Sequence, residues 1–136
     1  MLALCLIPGR WLSAQVLTDE QAILLFGEPK ALQFQYFSLD LTDDSQETLD
    51  KLVEKLRQFP AMRGRLLLIE VSSCEKELNV KPYLSTVRGQ VIIDYLQRSI
   101  KYPRKRCLIQ DGGPNYEDKE CELAGTVKIS LKPAWR

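Results

Sequence analysis

The sequence predicts an α/β (α+β) two-layer sandwich, in which a mixed four-stranded sheet carries helices on one face. Two segments have apolar residues at helical spacing, and they alternate with short runs typical of strands in the order β-α-β-α-β-β. A right-handed crossover makes strands 1 and 2 parallel, whereas the short link between strands 3 and 4 favours an antiparallel turn. Helices are therefore expected on one side of a mixed sheet.

The first half of the chain supplies a leading helix, one strand and one long helix. Thr18 is an N-cap ahead of an apolar stretch that ends at Gly27, which predicts a short helix within residues 15–30. Residues 31–41 alternate in part and predict strand 1, with a bulge where the phase slips. A D-x-x-E capping box at Asp44 opens helix 1, which ends at the next proline. Its predicted buried face comprises Leu49, Leu52, Val53, Leu56 and Phe59.

The second half supplies the remaining strands and one more helix. The run RLLLIEVS at residues 65–72 is continuously apolar, as expected of a central strand buried on both faces. After a polar loop, helix 2 begins near Pro82 and runs to about Ser99. The segment RCLIQ at 106–110 predicts strand 3, and the alternating TVKISLK at 126–132 predicts strand 4, with a polar loop between them.

Composition limits the classes of function. The chain has 136 residues, of which 45% are hydrophobic, so it is long enough for one domain with a usable core. Nineteen basic side chains against 18 acidic ones give no basic excess for nucleic acid or an anionic membrane surface. The sequence has no histidine, which removes the usual general base and most zinc and copper sites. We expect no cofactor, no metal and no nucleic-acid partner.

The first fourteen residues, MLALCLIPGRWLSA, are interpreted as the end of a secretory signal that is cleaved near Ala14. An apolar first strand or helix of the folded domain is the alternative. No other stretch approaches the roughly 20 apolar residues that a membrane-spanning helix requires. The mature chain is therefore expected in an envelope or extracellular compartment, without a transmembrane helix.

Three cysteines remain after such cleavage: Cys74, Cys107 and Cys121. The odd number means that at least one thiol is free or pairs between chains. Cys107 with Cys121 is the favoured intramolecular disulfide, because Gly112, Gly113 and Pro114 between them let the chain double back. The spacings match no zinc ribbon.

Several stretches, in their order and spacing, resemble the OmpA-like domain family. They are FSLDL at 37–41, LDKLVEKLRQFP at 49–60, LLIEVSSC at 67–74, LSTVRGQVIIDYL at 84–96, RCLIQDGGP at 106–114 and TVKISL at 126–131. The resemblance spans residues 31–132 and leaves a tail at 133–136. The LSxxR helix is its most specific part. The resemblance implies the family's two-layer fold and its association with peptidoglycan in the periplasm.

The resemblance also implies a ligand site. In the family, an aspartate after strand 2 takes the ammonium of a diaminopimelate residue, and the arginine of the LSxxR helix takes its carboxylate. Arg88 matches that arginine, but Cys74 stands at the aspartate position and residues 124–127 lack the family's second arginine. The candidate peptidoglycan-binding residues are Arg88, Glu75, Glu77, Ser72, Ser73 and Asp111.

The leading hypothesis is a non-enzymatic, structural cell-envelope protein that binds peptidoglycan or joins an envelope protein complex. It implies the periplasm, in association with the outer membrane, of a Gram-negative-type bacterium. The alternative is a degenerate OmpA-like domain that has lost peptidoglycan and acts only through protein–protein contacts. A small hydrolase using Cys74 and Glu75, or a carboxylate pair, is a third hypothesis.

Overall fold

A computed structural model describes residues 17–122 and 125–133, so the predicted signal segment lies outside the described residues. The elements in chain order are α1 (Asp19–Phe26), β1 (Lys30–Phe34), α2 (Asp43–Gln58), β2 (Leu66–Cys74), α3 (Glu75–Val80), α4 (Leu84–Ile100), β3 (Cys107–Asn115) and β4 (Gly125–Lys132). Short 3₁₀ turns occupy Pro60–Gly64 and Arg104–Arg106. Within the described ranges, no helix combines the length and the apolar character needed to cross a membrane.

The four strands form one mixed sheet in the order β1-β4-β2-β3. β4 is antiparallel to both of its neighbours, β1 and β2, whereas β2 and β3 are parallel. β1 and β2 therefore run in the same direction, as predicted. β3 and β4 run in opposite directions, but β2 lies between them, so the predicted antiparallel turn between these two strands does not form. The predicted fold class is confirmed: the molecule is an α+β sandwich with a mixed four-stranded sheet.

One hydrophobic core lies between the sheet and the helices. α2 buries four of the five predicted positions completely or nearly so, and Phe59 packs against the same cluster. α1 also belongs to this core, because Ala22 and Phe26 are buried in it. The leading helix is thus packed onto the domain by apolar contact, which stabilises it where a short isolated helix would be marginal.

β2 is buried on one face, and the prediction that both faces are buried was wrong. Leu67, Ile69 and Val71 are fully buried against the helices, whereas Leu66 and Leu68 are partly exposed. The apolar run looked continuous because leucines also occupy the outer face. α2 and α4 pack against the sheet's inner face only, so the outer leucines face away from the core.

The segment between β1 and α2 differs from its prediction. β1 ends at Phe34, and instead of a bulge the chain turns at Phe37, which has a φ of 53°. Leu41 returns to make a single bridge with Phe34. α2 is capped by Thr42, whose Oγ1 accepts a hydrogen bond from the Ser45 amide, not by the predicted capping box. The loop at 35–40 lies outside β1 and contacts α4 through the carbonyls of Gln35 and Ser38, which accept hydrogen bonds from Arg88.

Two segments predicted as loops contain regular structure. The polar stretch after β2 forms α3, and β3 continues through Asn115, where a turn was predicted at the glycines. In β3, Asp111, Pro114 and Asn115 remain in register with the end of β2, across a register shift between Val71 and Ser73. The pairing with β2 therefore overrides the local turn preference of Gly-Gly-Pro.

Candidate functional site

The arginine of the LSxxR helix lies inside the protein. In α4, Leu84, Ser85 and Arg88 follow one another at spacings of one and three, and all three are buried. Arg88 has no exposed surface at all. A charged side chain is almost never found there unless every polar atom is paired.

Every N–H of the Arg88 guanidinium has an acceptor. Its Nε donates to the Ser38 carbonyl at 3.1 Å, and Nη2 donates to the Gln35 carbonyl at 3.1 Å. Nη1 donates to Ser73 Oγ at 3.1 Å. The two remaining donors go to Glu77, with Nη1 to Oε1 at 3.0 Å and Nη2 to Oε2 at 2.6 Å. Since a guanidinium has five donors, none is left for a ligand.

Glu77 is equally saturated. It occupies the first turn of α3 and is fully buried. Besides the two bonds from Arg88, Oε1 accepts from the Cys74 amide at 3.2 Å and Oε2 accepts from the Phe37 amide at 2.7 Å. Burial alone would raise the pKa of Glu77, but the bonds from Arg88, Phe37 and Cys74 outweigh it and lower that pKa. The pair is therefore a buried, two-bonded ion pair between a guanidinium and a carboxylate of the same chain.

The surroundings of Arg88 fix it in place. Its guanidinium lies over the Phe34 ring, 5.2 Å from the centroid. Gly125 at the start of β4 makes room for it, because a Cβ there would lie 2.1 Å from Nη1. Ser73 Oγ also bonds Ser85 Oγ at 2.7 Å. The arginine is thus held by β1, β2, β4 and the loop at 35–40 together.

The disulfide differs from its prediction. Cys74 bonds Cys121, and Cys107 is a free, partly buried thiol. Cys107 pairs with Leu67 at one end of β3, while Cys74 pairs with Asn115 at the other. The eight steps of β3 separate those ends by about 26 Å, at roughly 3.3 Å per residue. The loop that carries Cys121 follows the far end, so it reaches Cys74 instead.

These positions bear on the hydrolase hypothesis. Cys74 is consumed in a disulfide, so it offers no thiolate. Burial raises the pKa of the Cys107 thiol to about 11, against a smaller opposing effect of Arg104, and the thiol is therefore protonated at neutral pH. Within residues 17–122 and 125–133, no three His, Cys, Asp or Glu side chains are grouped as metal ligands would be.

The predicted candidates divide into two groups. Arg88, Glu77 and Ser73 come together in the buried cluster. Ser72 lies outside it and donates from Oγ to the Gly113 carbonyl at 3.1 Å. Glu75 is exposed, and the exposed Asp111 accepts from the Gly113 amide, so neither carboxylate faces Arg88. Neither of these two predicted carboxylates is paired with the Arg88 guanidinium, whose acceptors are Ser38, Gln35, Ser73 and Glu77.

The sequence predicts three residues of the cluster, Arg88, Glu77 and Ser73, but as ligand contacts and not as partners of one another. No sequence signal points to the carbonyls of Gln35 and Ser38. One sequence signal was available: Glu77 lies three residues after Cys74, the spacing of a capping box. That spacing directs its carboxylate back to the Cys74 amide and into the interior.

Comparison with known proteins agrees with the architecture. No protein-family model matches the sequence, and no curated protein matches it at a significant level. Among solved structures, an outer membrane protein from Borrelia burgdorferi B31 superposes with a TM-score of 0.55 at 18% identity, over 76% of this chain and 85% of that one. The two chains share a fold. Because the identity is low, this likeness establishes the architecture of the domain and not its ligand.

Proposed function

We propose that this chain is a non-enzymatic cell-envelope protein whose OmpA-like sandwich no longer binds peptidoglycan and acts through contacts with other proteins. The observation that carries the proposal is the closed pair, which we define as Arg88 and Glu77, both fully buried and mutually bonded. In the family that the sequence resembles, that arginine receives a ligand carboxylate. Here a carboxylate from the same chain accepts two of its five N–H bonds, and two backbone carbonyls and one hydroxyl accept the others.

The energetic cost of opening the closed pair argues against a ligand. A peptide carboxylate would have to displace Glu77 and leave that carboxylate buried without its cation. Breaking a buried ion pair by removing one partner costs about 3–5 kcal/mol. At 1.4 kcal/mol per factor of ten, a ligand would bind roughly 100- to 4,000-fold more weakly than to an open site.

The disulfide supports the same proposal, because it occupies the position where the family has the aspartate that binds the ligand ammonium. The position that aligns with the family's aspartate is Cys74, whose sulfur is bonded to Cys121. It offers no charge for an ammonium group. A buried disulfide is also typical of proteins in oxidising compartments, which supports placing this chain in the envelope after export.

Exposed apolar side chains support a role in protein contacts. They come from the segments that hold or adjoin the closed pair: the loop at 35–40, α3 and the start of α4. They are Tyr36, Leu39, Val80, Tyr83 and Val87, with exposed fractions from 40% to 78%. Tyrosine and aliphatic groups in one region are typical of the central part of a protein interface.

The decisive experiment is co-sedimentation with purified peptidoglycan sacculi. We expect the wild-type protein to stay in the supernatant, beside a positive control of an OmpA-like domain that retains the motif aspartate. Glu75→Ala serves as a matched control for surface charge, because Glu75 is exposed and outside the closed pair. Saturable sedimentation of the wild type that free diaminopimelate competes away would overturn the proposal.

A second experiment tests the protein contacts. A photoreactive residue at Tyr83, which is 78% exposed, is expected to cross-link to an envelope protein in intact cells. The same probe at Leu24, which is 81% exposed on α1, is the control for nonspecific capture. Equal labelling from both positions would contradict a contact surface around the closed pair.

A further inference from the structure

One end of the domain carries an excess of basic side chains. α2 and α4 end there, β2 and β3 begin there, and β4 also ends there, since Lys132 pairs with Leu66. Residues 57–69 and 95–110 supply most of this end and contain eight basic residues and no acidic one. The balanced charge of the whole chain therefore hides a local positive excess. We call this end the basic pole and define it by those eight residues and Lys132: Arg57, Arg63, Arg65, Arg98, Lys101, Arg104, Lys105, Arg106 and Lys132.

Hydrogen bonds hold the two basic segments against each other. Arg106 Nη1 donates to the Gly64 carbonyl at 2.6 Å, and Arg63 Nη1 donates to the Ile100 carbonyl at 3.3 Å. The cations are therefore neighbours in space, and their fields add over the same surface. Like charges held together repel each other, so an anionic partner at this end would relieve a cost that the fold itself creates.

Most of the charge at the basic pole is not neutralised within the described part of the chain. Three of its arginines have an acidic partner there, in the ion pairs Arg57–Glu54, Arg65–Asp19 and Arg104–Asp94. The other six cations form no ion pair with a described residue. Arg63 donates to the Leu56 and Ile100 carbonyls near the ends of α2 and α4, so we assign it to the fold. Five cations remain for a partner: Arg98, Lys101, Lys105, Arg106 and Lys132.

Apolar surface adjoins these cations. Leu108, near the start of β3, is 48% exposed. It borders a hollow of about 210 Å³ that is also lined by Leu66, Cys107 and Lys105. Lys132 stands beside Leu66 in the sheet, so cations lie on two sides of this apolar patch. The basic pole therefore offers positive charge and exposed hydrocarbon together.

An anionic lipid surface fits the basic pole better than an acidic protein does. Protein interfaces are enriched in aromatic residues and depleted of lysine. Lysine supplies three of the five cations here, and the aromatic residues of these segments, Phe59, Tyr95 and Tyr102, are buried or half-buried. Clustered cations beside apolar groups are typical of surfaces that bind anionic headgroups. We propose that the basic pole docks on an anionic lipid surface, with the five cations at the lipid phosphates and Leu108 at the boundary of the acyl region.

The docking defines an orientation of the domain. α4 has 17 residues, so its ends lie about 25 Å apart at 1.5 Å per residue. Its last residues lie at the basic pole, whereas Tyr83 precedes its first residue. The exposed apolar side chains around the closed pair then face away from the lipid. This inference goes beyond the proposed function, and the two fail separately, because sacculus binding and cross-linking at Tyr83 report on the other end of α4.

Flotation with lipid vesicles tests the docking. We expect the wild type to float with vesicles of phosphatidylglycerol and phosphatidylcholine, to stay behind with pure phosphatidylcholine, and to be released as salt screens the charges. Soluble polyglutamate, which imitates an acidic protein, is the competing probe. Absence of flotation overturns the proposal, and binding to polyglutamate without flotation assigns the basic pole to an acidic protein instead.

Two pairs of lysine substitutions locate the binding surface. Lys105→Gln with Lys132→Gln is expected to weaken vesicle binding about 25-fold, at about fivefold for each lysine near the lipid. Lys76→Gln with Lys119→Gln is the matched control, because both lysines are exposed and Lys76 follows the opposite end of β2. All four side chains are exposed, so the melting temperature should not change. Equal weakening by both pairs would show attraction by net charge alone and overturn the proposed surface.

Fluorescent labelling tests the orientation. In a Cys107→Ser background, an environment-sensitive fluorophore attached to Leu108→Cys should shift its emission to the blue on phosphatidylglycerol vesicles, because it enters a less polar region. The same label on Tyr83→Cys should not shift, because Tyr83 is 78% exposed at the far end of α4. A shift from the label at Tyr83, or none from the label at Leu108, overturns the proposed orientation.

Discussion

Removal of the Glu77 carboxylate is the most direct perturbation of the closed pair. Glu77→Ala takes away four hydrogen bonds, two from Arg88 and one each from the Phe37 and Cys74 amides. It leaves a fully buried guanidinium with three neutral acceptors and no counter-charge. For loss of one partner of a buried pair we expect a loss of about 3–5 kcal/mol in the free energy of unfolding. That is a large share of the roughly 5–15 kcal/mol typical of a domain.

Urea unfolding at neutral pH, without reductant, measures this loss as a lower midpoint at an unchanged slope. Glu75→Ala is the control, since the neighbouring exposed carboxylate should change the free energy of unfolding by no more than about 0.5 kcal/mol. If Glu77→Ala lowered the free energy of unfolding by less than about 1 kcal/mol, Glu77 and Arg88 would not form a buried ion pair in solution. Closure of the site by its own glutamate would then be refuted.

The same pair has a pH signature. The pKa of Glu77 is lowered in the folded state from its ordinary value of 4.5 by the bonds that overcome its burial. Its stabilisation is therefore fully present above that ordinary value and is lost as the pH falls through the folded-state pKa. We expect the wild type to lose its stability advantage over Glu77→Gln progressively below about pH 4.5. A stability difference that stays constant down to strongly acid pH would contradict this assignment.

Two further predictions concern the supports of the closed pair. Gly125→Ala should lower the melting temperature sharply, because the new Cβ would lie 2.1 Å from an Arg88 nitrogen that hydrogen bonds hold in place. Gly64→Ala is the control and should be nearly neutral, because no atom lies within 4 Å of a Cβ at that position. Equal melting temperatures for the two variants would contradict the prediction that Gly125 makes room for Arg88. Cys121→Ser should cost about 4 kcal/mol in the free energy of unfolding, as expected for a disulfide that spans 47 residues. Cys107→Ser is its matched control, and an equal effect of both substitutions would show that the disulfide does not form.

The fold was largely predictable because its signals are periodic and redundant. Four of the five residues predicted for the α2 core face are buried, and so are the alternating apolar residues Val127, Ile129 and Leu131 of β4. The errors lie where local and tertiary preferences compete. Gly112, Gly113 and Pro114 favour a turn, yet hydrogen bonds to β2 hold them in β3. Leu66 and Leu68 lie on the partly exposed face of β2, and because they are apolar the sequence predicts burial on both faces of this strand.

The site was less predictable because its geometry depends on contacts distant in sequence. The sequence predicts both Glu77 and Arg88 as site residues, but as two groups that bind a ligand. In the structure they bind each other. Their pairing depends on the loop at 35–40, whose Phe37 turns away from the sheet and brings its amide to Glu77. The disulfide pairing depended on the length of β3, which decides whether Cys107 or Cys74 lies near Cys121. Neither fact has a local sequence pattern.

Two features separate this site from the family pattern: the disulfide at the aspartate position, and the pairing of Glu77 with Arg88. Cys74 takes part in both. Its sulfur joins β2 to the loop before β4, and its amide donates to the Glu77 carboxylate that neutralises Arg88. Replacing Cys74 by aspartate would therefore restore a family residue but remove the disulfide and place a second carboxylate beside Glu77. Two carboxylates competing for one guanidinium repel each other. Reopening the site thus requires at least two coordinated changes, and for this reason we regard closure as a stable property of the domain and not as a single lost contact.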